Sequence, residues 1–152
     1  MRKQAKLPFK QVKSEFEMEH NDCTVLALST VTPLTYREAH KLLADAGRSF
    51  GRGFHLRRWL KHEPNLIPGV QFTVMYDWLT APLISKIDLE SGLESIRTRN
   101  LTVGQFMKSK PQGNYLVFVR QHVFTVIDGT IHDSFLPGSR RIVKKIYKVE
   151  AL

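Results

Sequence analysis

Asp128-Gly129 stands between two runs of β-branched and aromatic residues, and this dipeptide constrains the fold more than any other stretch of the chain. Asp-Gly suits a two-residue hairpin turn with positive φ at both positions, because glycine has no Cβ to clash and aspartate tolerates the left-handed region. Strands are accordingly expected over 122–127 and 130–135, flanked by others over 114–120 and 141–149. A turn at 128–129 pairs Ile127 with Thr130, Val126 with Ile131, Thr125 with His132, Phe124 with Asp133 and His122 with Phe135. Since side chains alternate along a strand, His122, Phe124 and Val126 then share a face with Asp133 and Phe135, while His132 points the other way with Val123 and Thr125. His122 and Asp133 become diagonal neighbours, close enough for the carboxylate to hold the imidazole; Asp128, at the tip, serves the turn.

An oriented imidazole is half of a nucleophilic site, and the chain has one cysteine to supply the other half. Cys23 lies where the irregular stretch ending His20-Asn21-Asp22 meets the apolar run Val25, Leu26, Ala27, Leu28 and Val31. A helix so apolar is a buried one. Asn21 or Asp22 is expected to cap it, and the unpaired N–H groups of its first turn favour a thiolate at Cys23. The candidate triad is therefore Cys23 as nucleophile, His122 as base and Asp133 as its orienter. The Cys23 N–H and a side chain just upstream, Asn21 or His20, are the candidate oxyanion donors.

Other residues set the frame. Thr35-Tyr36-Arg37-Glu38 and Thr102-Val103-Gly104-Gln105 have capping-box spacing, and Ala39, Leu42, Leu43 and Ala46 follow the first at helical period, up to Gly47. A short helix is expected over 55–62 before Pro64, a strand over 70–75 and a loop over 77–82. Residues 1–13 read as a basic arm or an edge strand, and 14–152 as a single domain. The basic loop 48–53, with Gly51 and Gly53, either borders a cleft or simply connects two helices. Phe50, Phe54 and Trp59, among Arg48, Arg52, Arg57 and Arg58, suit a nucleic-acid surface or, more ordinarily, core packing. His40, His55, His62 and His132 read as surface or packing residues.

Length and composition narrow the class. A chain of 152 residues with 42% hydrophobic content is sized for one packed core. Its 23 lysines and arginines against 14 carboxylates give a net charge of +9, which favours nucleic acid or acidic proteins as partners without naming one. The single cysteine excludes an intrachain disulfide and suits a reducing compartment, so the cytoplasm is expected. The N-terminus has no apolar run of signal type and no stretch reaches membrane-spanning length, so no membrane association is expected. His20-x-x-Cys23 lacks the further ligands of a tetrahedral zinc set, and no metal or organic cofactor is called for.

A cysteine heading a buried helix, followed much later by a histidine on one strand and an acid on the next, resembles the papain-like cysteine peptidase fold. More narrowly, Asn21-Asp22-Cys23-Thr24-Val25-x-Ala27-Leu28, the Tyr36-Arg37-Glu38-Ala39-His40 helix and His122-Val123-x-Thr125-Val126-Ile127-Asp128-Gly129 resemble small papain-like proteins of tailed phages. The likeness covers about residues 18–50 and 100–136. Two positions depart from it. Glu17 stands where papain has the glutamine that donates to the oxyanion, and Gln121 stands where the phage proteins often have glycine.

The resemblance implies an α+β fold with a helical part, led by the Cys23 helix, packed on an antiparallel sheet that contains the 122–135 hairpin. It implies a cysteine peptidase or amidase acting on a protein or peptide, with acyl transfer to an amine in the same chemical class. In a phage this places the protein in the host cytoplasm or the virion. The alternative is an inactive papain-like binding protein that contacts nucleic acid or a host or virion protein through its basic surface. Oligomeric state is not legible in the sequence.

Overall fold

The computed structural model describes residues 7–63, 67–77 and 101–152. In chain order the elements are β1 (Phe9–Gln11), α1 (Cys23–Val31), α2 (Tyr36–Asp45), α3 (Leu56–His62), β2 (Val70–Asp77), α4 (Val103–Lys108), β3 (Asn114–Val119), β4 (His122–Ile127), β5 (Thr130–Asp133) and β6 (Val143–Ala151). The strands form one six-stranded sheet in the order β1-β5-β4-β3-β6-β2, and the fold is α+β. No helix among the described residues is long and apolar enough to cross a membrane.

The sheet is mixed, which corrects the expectation of an antiparallel one. β3 pairs antiparallel with β4 and β6, and β4 with β5, but β1 runs parallel to β5. The reason is local: β5 has an outer edge to satisfy, and the N-terminal segment lies along it, with Ile131 N–H bonded to Pro8 O and Val12 N–H to Asp133 O.

Both faces of the sheet are covered. On one, α1, α2 and α3 pack Val25, Leu28, Leu43 and Leu56 against Leu116, Phe118, Val123 and Tyr147; on the other, Val103 and Met107 of α4 meet Val117, Phe124, Val126 and Ile131. The alternation of β3 and β4 into the two clusters is why these strands read as nearly unbroken apolar runs. Thr125 is the exception. Its Oγ1, with the residue fully buried, donates to Ala27 O of α1 at 3.0 Å and so locks β4 to the helix that carries Cys23.

Local chemistry explains the boundaries. Asp128 and Gly129 have φ of 45° and 79°, the hairpin has the expected register at Ile127–Thr130, Val126–Ile131 and Thr125–His132, and both capping boxes form. β5, however, stops at Asp133 rather than 135, because Asp133 Oδ1 accepts the Ser134 N–H at 2.7 Å and turns the chain away. β2 extends through Asp77, where a loop was expected to begin; positions 78–82 of that loop and Pro64 lie outside the described residues.

Candidate active site

Three elements bring the site together. α1 presents Cys23 as its first residue, half-buried; β4 opens on His122; β5 ends on Asp133. His122 Nε2 lies 2.6 Å from Asp133 Oδ2, with side-chain exposures of 9% and 3%. The ring is stacked on Phe135 at a centroid distance of 4.8 Å and on Phe124 at 6.2 Å, so apolar surface fixes its plane while the carboxylate fixes its rotation.

Burial alone would lower the pKa of His122. Its hydrogen bond to Asp133, the neighbouring Cys23 thiol and the charge of Asp133 reverse that and push it up to about 9. At neutral pH the ring is therefore an imidazolium, and it lines the same cleft as the Cys23 sulfur. With Nε2 taken by Asp133, Nδ1 is the ring nitrogen left for the sulfur.

The N-terminus of α1 is built differently from the sequence expectation. Asp22 is the N-cap residue but makes no side-chain cap; its buried carboxylate accepts instead from Ser14 Oγ and, at 2.8 Å, from Tyr36 Oη. That costs the helix a cap and ties its start to α2. Asn21 precedes it at φ 55°, exposed, with its Nδ2 donating to Gly51 O at 3.1 Å. The Asn21 amide thus braces the 48–53 loop, and Asn21 does not line the cleft that holds Cys23 and His122. Exposed Glu17 and His20 do not line it either.

Sequence reasoning missed the group that shapes this approach. Glu19 and Arg48 are buried, and Glu19 Oε1 and Oε2 accept from Arg48 Nη2 and Nη1 at 3.0 and 3.1 Å, a bidentate pair. Oε1 also accepts the Gly51 N–H at 2.7 Å, and Oε2 lies 2.7 Å from His40 Nε2. Burial raises the pKa of Glu19, but the Arg48, His40 and Gly51 bonds and the Arg48 charge outweigh it and hold the carboxyl at about 2. This cluster clamps the strand of chain leading to Cys23 onto the 48–51 loop. The only sequence signal was a lone Glu and a lone Arg in polar surroundings, which carries no pairing information.

The cleft has a volume of about 750 Å³ and is lined by Cys23 and His122 together with residues of the 53–58 segment and of the β3–β4 turn. Thr24 also lines it, 3% exposed, with an Oγ1 that has no hydrogen-bond partner among the described residues. The expected aromatic and basic surface is divided: Phe54 and Trp59 pack against the core, Arg48 is buried on Glu19, and Arg57 and Arg58 stay exposed. His40 belongs to the Glu19 cluster, His55 lines the cleft, His62 is exposed, and His132 pairs with Lys10 in the β1–β5 ladder. No protein-family model, curated protein or solved structure matches the chain.

Proposed function

We propose that the protein is a papain-like thiol hydrolase that cleaves an amide or isopeptide bond with Cys23 as nucleophile, His122 as acid and base, and Asp133 as the residue that orients His122. The observation that carries this reading is His122, held at 2.6 Å by Asp133 and sharing with the only cysteine of the chain a cleft large enough for a peptide segment. A cysteine that merely filled core space would have no use for a buried, carboxylate-held imidazolium.

The reaction follows from these positions. The Cys23 thiolate adds to the substrate carbonyl carbon, and the carbonyl electrons move onto oxygen, where the N–H groups at the open end of α1 receive them. As the C–N bond breaks, the His122 imidazolium gives its proton to the departing amine, leaving a thioester on Cys23. Neutral His122 then takes a proton from water as the water oxygen attacks the thioester. The C–S bond breaks, the acid leaves, and the imidazolium–thiolate pair is restored. Asp133 holds the His122 ring in place throughout.

The test is the rate of iodoacetamide modification of Cys23 against pH, in the native protein, in His122→Ala and in the unfolded chain. Modification at pH 6 that is at least about tenfold faster in the native protein than in the unfolded chain, and that is lost with His122→Ala, is expected. A native profile that tracks the unfolded one and ignores His122 would overturn the reading.

A further inference from the structure

We propose that the cleft selects peptide chains that are acidic next to the scissile bond; this rests on the reading of Cys23 and His122 as the hydrolytic pair and names the substrate class for it. Besides that pair, the lining carries Arg57 and Arg58 from α3, Arg120 from the β3–β4 turn and Lys144 from β6, and among the described residues it contains no carboxylate. Among the described residues, no ion pair engages Arg57, Arg58 or Arg120, and all three are exposed. Outside the cleft, Arg48 is paired with Glu19 and Arg37 with Glu15, while Arg52, Arg140 and Arg141 have no ion pair among the described residues. Arg57, Arg58 and Arg120, without ion-pair partners among the described residues, give the cleft a focused positive field, which raises the local concentration of anionic ligands.

The display is rigid. Leu56 and Leu60, 1% and 2% exposed, anchor α3 in the core, so Arg57 and Arg58 are carried on a fixed helical turn. The β3–β4 turn is held by Arg141 Nη2, which donates to Arg120 O at 2.5 Å, and Arg120 is only two residues from His122. Guanidinium groups held in this way match the two oxygens of Asp and Glu side chains.

A nucleic acid is the other polyanion to consider, and the lining argues against it. Among the described residues, the phenyl rings in the cleft wall are Phe118, which is buried, and Phe54, which is half-buried and packed edge-on against Trp59 at 6.2 Å, so no exposed phenyl or indole face lies in the wall for a base to stack on.

The decisive experiment measures fluorescence anisotropy of labelled peptides of one length, rich in glutamate, glutamine or lysine, with the full-length Cys23→Ser protein. The glutamate peptide is expected to bind about tenfold or more tighter than the glutamine peptide. That preference should fall several-fold in Arg57→Gln/Arg58→Gln and shrink as salt shortens the Debye length toward about 8 Å at 0.15 M. Equal binding of the three peptides overturns the inference. So does a glutamate preference untouched by the arginine substitutions, or tighter binding of a single-stranded oligonucleotide of the same charge. Because this readout needs no reaction at sulfur, its failure alongside fast, His122-dependent alkylation removes the substrate class and leaves the hydrolase, whereas slow alkylation removes both.

Discussion

Asp133 Oδ2 and His122 Nε2 lie 2.6 Å apart although eleven residues and a hairpin turn separate the two. The contact exists because β5 ends at Asp133: one carboxylate oxygen takes the Ser134 N–H that stops the strand, and the other is left for the imidazole. One side chain thus terminates a strand and orients the proposed base.

Removing the charge of that carboxylate tests the relationship directly. By NMR, His122 is expected to titrate near pH 9 in the native protein and well below that in Asp133→Asn, where burial still opposes the charged ring but its first opposing partner is gone. Iodoacetamide modification of Cys23 in Asp133→Asn should slow by about tenfold or more, since the imidazole loses its orientation along with its charge.

The same raised pKa predicts a pH dependence of stability. His122 binds its proton more tightly folded, up to about 9, than at its ordinary 6.5, so its contribution is fully present below pH 6.5 and is lost as pH rises through the folded pKa. The cleanest measurement uses Cys23→Ser, in which Asp133 still raises His122. Thermal midpoints should hold up to about pH 6.5 and decline above it, and adding Asp133→Asn should flatten the decline.

Glu19→Gln should be far more damaging than an ordinary surface change. It leaves the Arg48 guanidinium buried without its counter-charge, at a cost of about 3–5 kcal/mol by urea denaturation. In the native protein the Glu19 carboxyl is held at about 2 against an ordinary 4.5, so its contribution is present above pH 4.5 and is lost as pH falls toward 2. The acid limb of the stability profile should therefore be shallower in Glu19→Gln than in the native protein.

Gln121→Gly should stabilise the fold. Gln121 has φ 59°, in the left-handed region that costs a side-chain-bearing residue more than glycine, and its side chain is exposed. Relief of that strain, less the greater chain entropy of glycine, amounts to about 0.5–1 kcal/mol. Equal or lower stability in urea would show that the turn tolerates glutamine without strain.

The sequence by itself determined whatever depends on neighbours along the chain. Both capping boxes, the Asp128-Gly129 turn and the three-pair register of β4 with β5 follow from residue types at fixed local spacing, and that register alone brings His122 and Asp133 to one corner of the sheet. The apolar run after Cys23 likewise dictates that its helix is buried. Tertiary structure decided the rest, because the relevant partners are remote and no local pattern selects them. β1 found the edge of β5 across more than a hundred residues, α4 took the second face of the sheet, and Asp22 gave up its cap for Tyr36. Glu19 met Arg48 because a buried charge requires a counter-charge wherever the chain can deliver one, and Arg57, Arg58 and Arg120 converged on the cleft only because α3 and the β3–β4 turn both border it.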